Sequence, residues 1–150
     1  MADHTSISEH PFYNNIAGQY LIPLVFYNFS LELDGLQKDL AQQADIPPTI
    51  VDYLNLNRKI VAFGNSLLDS SATHFGVIRT TSTYQFFQDD YLMIFEGDSA
   101  SALYNIQRDS LLRQNIVRWD PETVRRMEDL LKSVIQQHDD RMIRNRLTVE

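Results

Sequence analysis

The chain contains no cysteine, and this absence excludes several kinds of site. Without thiols there are no disulfide crosslinks, no thiolate zinc ligands and no cysteine nucleophile. A cysteine-free chain fits a reducing compartment. The polar N-terminal residues also lack the basic and apolar segments of a secretory signal. We therefore predict a cytoplasmic protein.

Glycine and long apolar runs are scarce as well. The five glycines never form the G-x-G-x-x-G or P-loop patterns that hold nucleotide phosphates. The longest apolar run, YLIPLVFY at 20–27, is much shorter than the roughly 20 residues that span a bilayer. We therefore expect no nucleotide cofactor bound in these ways and no membrane segment.

Basic residues are fewer than acidic ones. The chain holds 13 Lys and Arg against 20 Asp and Glu, which gives a formal net charge of −7. A surface of this sign repels phosphate and anionic lipid at long range and favours basic partners. The cations are concentrated in the second half, because residues 1–75 hold only 3 of the 13.

What the chain does contain is typical of one globular domain. It has 150 residues, of which 43% are hydrophobic and 22% charged, and these values are close to globular averages. No linker or repeat divides it. We predict a flexible tail at 1–11 and a single domain over 12–150.

The middle of the chain predicts a small antiparallel sheet at about 77–96. VIRTTSTYQFF and YLMIF are rich in β-branched and aromatic residues, and the Asp89-Asp90 pair between them favours a hairpin turn. Asp98 or Ser99 is then placed to cap a helix that runs to about Arg113. The following QNIVRW favours a short strand.

The last element is predicted as a long helix from Pro121 to about Arg144. Asp120 is a good N-cap residue before a first-position proline. Trp119 and Val124 are spaced as a hydrophobic staple. An apolar stripe recurs at helical spacing, and its members are Val124, Met127, Leu131, Val134, Ile135 and Met142.

The N-terminal half is predicted to be mainly helical. Residues 22–35 fit both a helix and a hairpin, and we favour a helix after Pro23 because its register continues into the next segment. Leu36 to Ala44 has helical composition, and a further helix begins near Pro48 and continues to about Gly64. The fold class is therefore predicted as α+β.

Residues 37–56 have the spacing of a helix, a tight turn and a second helix. The inward positions of this pattern hold small or apolar residues, namely Leu40, Ala41, Ala44, Ile46, Val51 and Leu54. The segment resembles the helix-turn-helix of phage-repressor-like proteins. Asp45 stands at the turn position that is usually Gly, where a left-handed backbone is expected.

This resemblance implies a set of DNA contacts. Thr49, Tyr53 and Asn55 would approach bases, and Arg58 and Lys59 would contact phosphates. The alternative interpretation is a helical hairpin whose outer face meets solvent or another protein. We favour it, because the outer face carries few cations and includes Asp52.

Histidines and carboxylates give no complete catalytic or metal set. His74 lies near Asp69 and Ser70 in sequence, but the strained G-x-S-x-G turn that exposes a catalytic serine is absent. His138 has no metal-ligating residue three or four positions away. We predict no catalytic residue, no metal and no cofactor.

Tyrosines and arginines supply candidate anchors for a protein partner, because both residue types are enriched at binding hot spots. The candidates are Tyr13, Tyr20, Tyr27, Tyr53, Arg125 and Arg126. The last helix, which carries the two arginines, is also a candidate surface for a homodimer.

The leading hypothesis is a small, acidic, non-catalytic regulatory protein that binds another protein, as an adaptor, chaperone or inhibitor does. The first alternative is a DNA-binding regulator that uses the helix-turn-helix-like segment. The second is a small enzyme whose site is assembled from distant residues.

Overall fold

A computed structural model describes residues 8–27 and 35–149. Four antiparallel strands pair in sequence order to form one sheet. The strands are β1 (Phe75–Arg79), β2 (Thr83–Gln88), β3 (Tyr91–Glu96) and β4 (Ser99–Asn105). The helices are α1 (Ile46–Tyr53) and α2 (Pro121–Ile143), and short 3-10 turns occur at Gly18–Tyr20 and Gln43–Asp45. The mixed α+β class is therefore confirmed.

The predicted hairpin around Asp89 and Asp90 is confirmed. Gln88 pairs with Tyr91, so these two aspartates alone make the turn between β2 and β3. Asp89 has a φ of 50°, which aspartate tolerates better than most residues. The sheet extends beyond the predicted 77–96 in both directions, because β1 begins at Phe75 and β4 continues to Asn105. Within the predicted range, VIRTTSTYQFF contributes two strands rather than one, with a turn at Thr80 to Thr83.

The helix predicted after Asp98 is wrong, because Ser99–Asn105 forms β4. Gly97 has a φ of 64°, and the Gly97-Asp98 pair makes a tight turn in which Glu96 pairs with Ser99. This turn returns the chain along β3 and so favours a strand. The short strand predicted in QNIVRW is also wrong, although Ile116 donates its amide to the Leu103 carbonyl of β4 at 2.8 Å.

The main core lies between α2 and one face of the sheet. Phe86, Met93 and Leu103 of the sheet are fully buried against Met127 and Leu131 of α2. Met127 and Leu131 are four residues apart, so they lie on the same face of the helix. Burying side chains of this kind contributes about 1.5–3 kcal/mol each.

The second face of the sheet is covered by irregular segments. Phe87 and Leu92 form its buried centre together with Ala17 from the N-terminal region. Ile106 and Leu112, from the loop after β4, pack against the same cluster. The sheet is therefore buried on both faces, although only one of them carries a helix.

The predicted bounds of the last helix are confirmed. Asp120 accepts a hydrogen bond from the Thr123 amide at 3.1 Å, as an N-cap does, and Asn145 follows the end of the helix with a φ of 53°. The predicted staple is wrong, because Trp119 is 84% exposed. Within the described residues no helix is both long and apolar enough to cross a membrane.

A carboxylate ties α2 to the irregular part of β4. The strand pairing shifts between Ile94 and Phe95, opposite Ala100. The Ala100 amide donates to Glu128 Oε1 at 2.6 Å, and Lys132 bonds the other oxygen of Glu128 at 3.1 Å. The side chain of Glu128 thus satisfies a backbone group beside the bulge and fixes α2 along the sheet.

The helical N-terminal half is the main correction to the predicted fold. Residues 21–27 and 36–42 carry neither helix nor strand, and residues 28–34 lie outside the described part of the chain. A nine-residue helix at Leu36–Ala44 would be marginal by itself, and Leu36 is 85% exposed and buries nothing. Most of the predicted tail at 1–11 also lies outside the described residues.

The core packing gives the first testable expectation. We expect Leu131→Ala to lower the free energy of unfolding by about 2–5 kcal/mol, because it leaves a cavity between α2 and the sheet. Ile143→Ala, on the same helix but 83% exposed, is the matched control and should change stability by less than about 0.5 kcal/mol. Urea unfolding of both variants measures the difference. Equal losses would contradict the described position of α2.

Candidate functional site

The most exposed apolar part of the described chain near the N-terminus is Tyr13–Tyr27, here called the N-terminal apolar segment. Seven large side chains in it are between 37% and 78% exposed: Tyr13, Ile16, Tyr20, Leu21, Val25, Phe26 and Tyr27. The segment contains no charged residue. Exposed apolar groups at this density are typical of an interaction surface.

One end of the segment is fixed to the sheet. Asn15 Oδ1 accepts hydrogen bonds from the amides of Ala17 and Gly18 at 2.9 and 2.8 Å, and its Nδ2 donates to the Ser110 carbonyl at 2.8 Å. Gly18 lies against the Phe12 carbonyl, where a Cβ atom would collide. Residues 13–20 are therefore held by a compact turn on the loop after β4.

The structure distributes the predicted protein-binding anchors over three elements. Tyr13, Tyr20 and Tyr27 all belong to the N-terminal apolar segment and are 43%, 42% and 78% exposed. Tyr53 is half-buried on α1. The two arginines are exposed on α2, where Arg126 Nη1 bonds Asp89 Oδ2 at 2.9 Å and Arg125 precedes it.

The region of the predicted helix-turn-helix has a different construction. The first helix is replaced by irregular chain and a 3-10 turn, while the second helix is present as α1. Asp45 has a φ of −80°, so it is not left-handed as expected. Its buried carboxylate accepts from the amides of Gln42 and Asn65, both at 2.9 Å.

Two of the proposed base-contacting residues have internal roles. Thr49 is 2% exposed, and its hydroxyl donates to the Asp45 carbonyl at 2.6 Å and accepts from the Leu67 amide at 2.9 Å. Asn55 follows α1 with a φ of 48°, and the Leu56 amide bonds back to Val51 in a Schellman arrangement.

Arg58 and Lys59, the residues expected at DNA phosphates, follow the end of α1 in irregular chain. They therefore do not extend the helix that would present Tyr53. The resemblance to phage repressors remains a prediction. Of its five expected DNA contacts, Thr49 is unavailable because its hydroxyl is buried and already bonded.

Because Gly64 has no side chain, its loop can lie directly against Ala44 and Asp45, and this contact helps to hold α1 in place. A Cβ atom at this position would collide with the Asp45 carboxylate and the Ala44 carbonyl. The loop that carries Gly64 also places the Asn65 amide against Asp45. The sequence suggested Gly64 as the end of a long helix, whereas α1 ends eleven residues earlier, at Tyr53.

A polar cleft of about 430 Å³ lies at the end of the sheet, beside the tip of the β2–β3 hairpin. Its walls come from four separate parts of the chain: residues 38–40, residues 72–74, the hairpin tip at 88–90, and Arg126 of α2. His74 and Gln88 line it, and each has a buried polar atom without a hydrogen-bond partner among the described residues.

Asp69, in the loop before β1, has a lowered pKa. Hydrogen bonds from the Ser71 hydroxyl and amide to Asp69 Oδ1, at 2.6 and 2.9 Å, hold the pKa of Asp69 below its usual range. The positive charge of His74 adds a smaller effect in the same direction. Asp69 is therefore a fixed negative charge near the cleft histidine at neutral pH.

The other histidine and the acidic residues considered for metal binding are not brought together in the described part of the chain. His138 is exposed on α2, where its Nδ1 lies 3.1 Å from the neighbouring Asp139 Oδ1. In the described part of the chain, no three His, Asp or Glu side chains are placed to hold a metal ion together.

Comparison with known proteins gives no family assignment: no model of a protein family matches the chain, and no curated protein matches it significantly.

The contact of Gly64 with Ala44 and Asp45 gives a second testable expectation. We expect Gly64→Ala to destabilise the protein by about 1–3 kcal/mol, because the added Cβ would collide with the backbone carbonyl of Ala44, which cannot rotate away. Gly76→Ala is the matched control. A Cβ there would meet the Phe87 side chain at an ordinary 3.5 Å, so we expect no loss of stability. Thermal unfolding compares the two variants, and a neutral Gly64→Ala would contradict the described position of α1.

The Ser71 bond predicts the titration of Asp69. We expect Ser71→Ala to raise the pKa of Asp69 toward its usual range, because the largest cause of the lowered pKa is the Ser71 hydroxyl. NMR titration of the carboxyl carbon measures this pKa. A lowered pKa stabilises the fold above the unfolded-state pKa, and this contribution is lost as the pH falls through the lowered value. The neighbouring Ser70→Ala variant keeps both Ser71 bonds and should titrate as the parent does.

Proposed function

We propose that this chain is a non-catalytic binding protein that recognises another protein through its N-terminal apolar segment. The observation that supports the proposal is the exposure of seven large apolar side chains within a segment of fifteen residues that contains no charged residue. A surface of this kind is unfavourable in water and gains free energy when a partner covers it.

The composition of the segment suits an interface. Its three tyrosines offer broad apolar rings with a hydroxyl that bonds at the rim, and tyrosine is enriched among hot-spot residues. Because residues 11–27 carry no charge, a partner would cover them without removing any ion from water. The segment also has one end fixed by Asn15, so less conformational freedom is lost on binding.

The net charge of the protein bears on the partner's chemistry. At −7, the chain attracts a basic protein at long range and repels an acidic one. Such attraction accelerates association more than it strengthens the final complex. We therefore propose a partner with an apolar contact region surrounded by basic residues.

Self-association through the end of α2 is a second candidate. Met142, Ile143 and Leu147 are 50%, 83% and 41% exposed there. The nearby arginines already pair within the chain, since Arg144 Nε lies 2.7 Å from Asp140 Oδ1. A dimer at this position would therefore depend on apolar contacts rather than on the arginine pairs that the sequence suggests.

The protein-binding proposal predicts that Val25→Asp will weaken capture of the partner at least tenfold. Val25 is 75% exposed, so a carboxylate there leaves the fold intact but opposes desolvation at the interface. Affinity capture from lysate, followed by titration of the captured protein against the purified chain, measures the loss. Circular dichroism checks that the variant is folded.

Ile143→Asp is the matched control, because Ile143 is equally exposed but lies at the end of α2. It should retain the captured partner. Loss of the partner from Ile143→Asp alone, or loss of self-association in sedimentation, would move the interface to α2. Capture of duplex DNA that weakens steeply with salt would instead favour the helix-turn-helix interpretation.

A further inference from the structure

A second exposed surface lies at the end of α1, and its chemistry differs from that of the N-terminal apolar segment. A groove of about 240 Å³ lies between α1 and the irregular chain that follows it. We propose that this groove binds a short segment of a partner protein, which inserts one large apolar side chain and places acidic residues against Arg58 and Lys59.

Four of the six residues that line the groove are apolar. They come from α1 and from the chain just after it, and the complete lining is Pro48, Val51, Asp52, Asn55, Leu56 and Ile60. Leu56 and Ile60 are 47% and 40% exposed, and Leu54, next to a lining residue in the chain, is 55% exposed. Covering such side chains is favourable in water, so the groove favours an apolar occupant.

The size of the groove indicates a side chain rather than a small-molecule ligand. Pockets for drug-sized ligands span about 300–1,000 Å³, and the groove is smaller, at about 240 Å³. A protein segment can fill it with a single leucine or aromatic side chain while the rest of the segment stays outside. Peptides that dock in this way are recognised through a few apolar anchors.

Two cations stand at the rim of the groove. Arg58 and Lys59 are exposed and lie in the chain between the lining residues Leu56 and Ile60. The Arg58 amide donates to the Leu56 carbonyl at 2.7 Å, which keeps this backbone close to the groove. Several basic residues of α2 have ion pairs, whereas Arg58 and Lys59 have none within the described part of the chain. Both are therefore available to a partner's carboxylates.

These cations favour an acidic occupant although the protein as a whole is acidic. The groove lining contains one carboxylate, Asp52, which already accepts a hydrogen bond from the Ser66 hydroxyl at 2.6 Å. The net charge of −7 opposes an acidic partner at long range, but exposed charges more than about 8 Å apart are largely screened at physiological ionic strength. The distant charges therefore slow association, whereas the contacts at Arg58 and Lys59 act within the complex.

The groove does not depend on the proposed function, because none of its residues belongs to the N-terminal apolar segment. The two surfaces also differ in charge. The first is uncharged and is assigned a partner with basic surroundings, whereas the second carries cations and is assigned an acidic segment. A protein with both surfaces can bind two different partners, as an adaptor does.

Selection of random peptides displayed on phage, with the whole parent chain as the target, supplies the probe. The enriched peptides should share a large apolar residue with Asp or Glu close to it. One of them is then synthesised with a fluorescent label and titrated by anisotropy. The NMR amide signals of residues 49–60 should shift with the same midpoint.

Two matched pairs of variants test the groove with this labelled peptide. Arg58→Glu should weaken binding about fivefold or more, because it replaces attraction by repulsion. Arg113→Glu changes another exposed arginine in irregular chain and should bind as the parent does.

Leu56→Gln should also weaken binding about fivefold or more, because it removes apolar surface from the groove wall. Leu68→Gln is its control, since Leu68 is 42% exposed but does not line the groove. Circular dichroism checks that each variant is folded. If Leu56→Gln does not fold, Arg58→Glu, whose side chain is exposed, still decides the matter.

Several outcomes would overturn the proposal. These are enrichment of no peptide or of peptides without acidic residues, and unchanged binding by Arg58→Glu or by folded Leu56→Gln. Loss of the peptide from Val25→Asp would place it on the N-terminal apolar segment instead. Self-association that Arg58→Glu abolishes would make a second copy the occupant. Failure of the proposed function, seen as partner capture that Val25→Asp leaves unchanged, does not affect this test.

Discussion

The packing of α2 across one face of the sheet is the constraint on which the other features depend. Phe86, Met93 and Leu103 are covered chiefly by α2, whose Met127 and Leu131 lie one helical turn apart above them. The same helix carries Arg126 to the hairpin tip and Glu128 to the bulge in β4. One amphipathic helix therefore fixes the sheet, closes part of the cleft and satisfies an irregular backbone group.

At each edge of the sheet, one strand amide donates to a side-chain amide oxygen. On β1, the Val77 amide donates to Gln42 Oε1 at 3.3 Å. On β4, the Leu103 amide donates to Asn115 Oδ1 at 3.1 Å, and its carbonyl accepts from Ile116. Edge groups that already have partners are poor templates for strand addition, which limits edge-to-edge aggregation.

Local signals in the sequence were sufficient for some elements. Asp120 and Pro121 located the start of α2, and the Asp89-Asp90 pair located the central hairpin, because in both cases the information lies within a few residues. The turn at Gly97 is equally local, but its sequence is ambiguous, because Asp98 and Ser99 also suit a helix N-cap; the positive φ of Gly97 instead produces a hairpin into β4. Asn55 and Asn145 likewise end the two helices in left-handed conformations, a signal that a search for glycine alone misses.

The candidate sites were predictable to different degrees. Tyr13, Tyr20 and Tyr27 could be proposed from the sequence as candidate anchors, and the structure adds that all three are exposed. The cleft could not be anticipated, since Lys38, His74, Gln88 and Arg126 are brought together only by the sheet and α2. His74, Asp89 and Arg126 stand out separately in the sequence, but nothing in the sequence indicates that they meet at one cleft.

The attachment of α1 has a consequence for the dynamics of the fold. Its backbone approaches no strand and does not approach α2, and among the described elements it contacts only the 3-10 turn at Gln43–Asp45. It is held instead by the bonds of Asp45 and Thr49 to the 64–67 loop. With so few attachments, α1 is expected to exchange its amide hydrogens through a local opening of lower free energy than global unfolding.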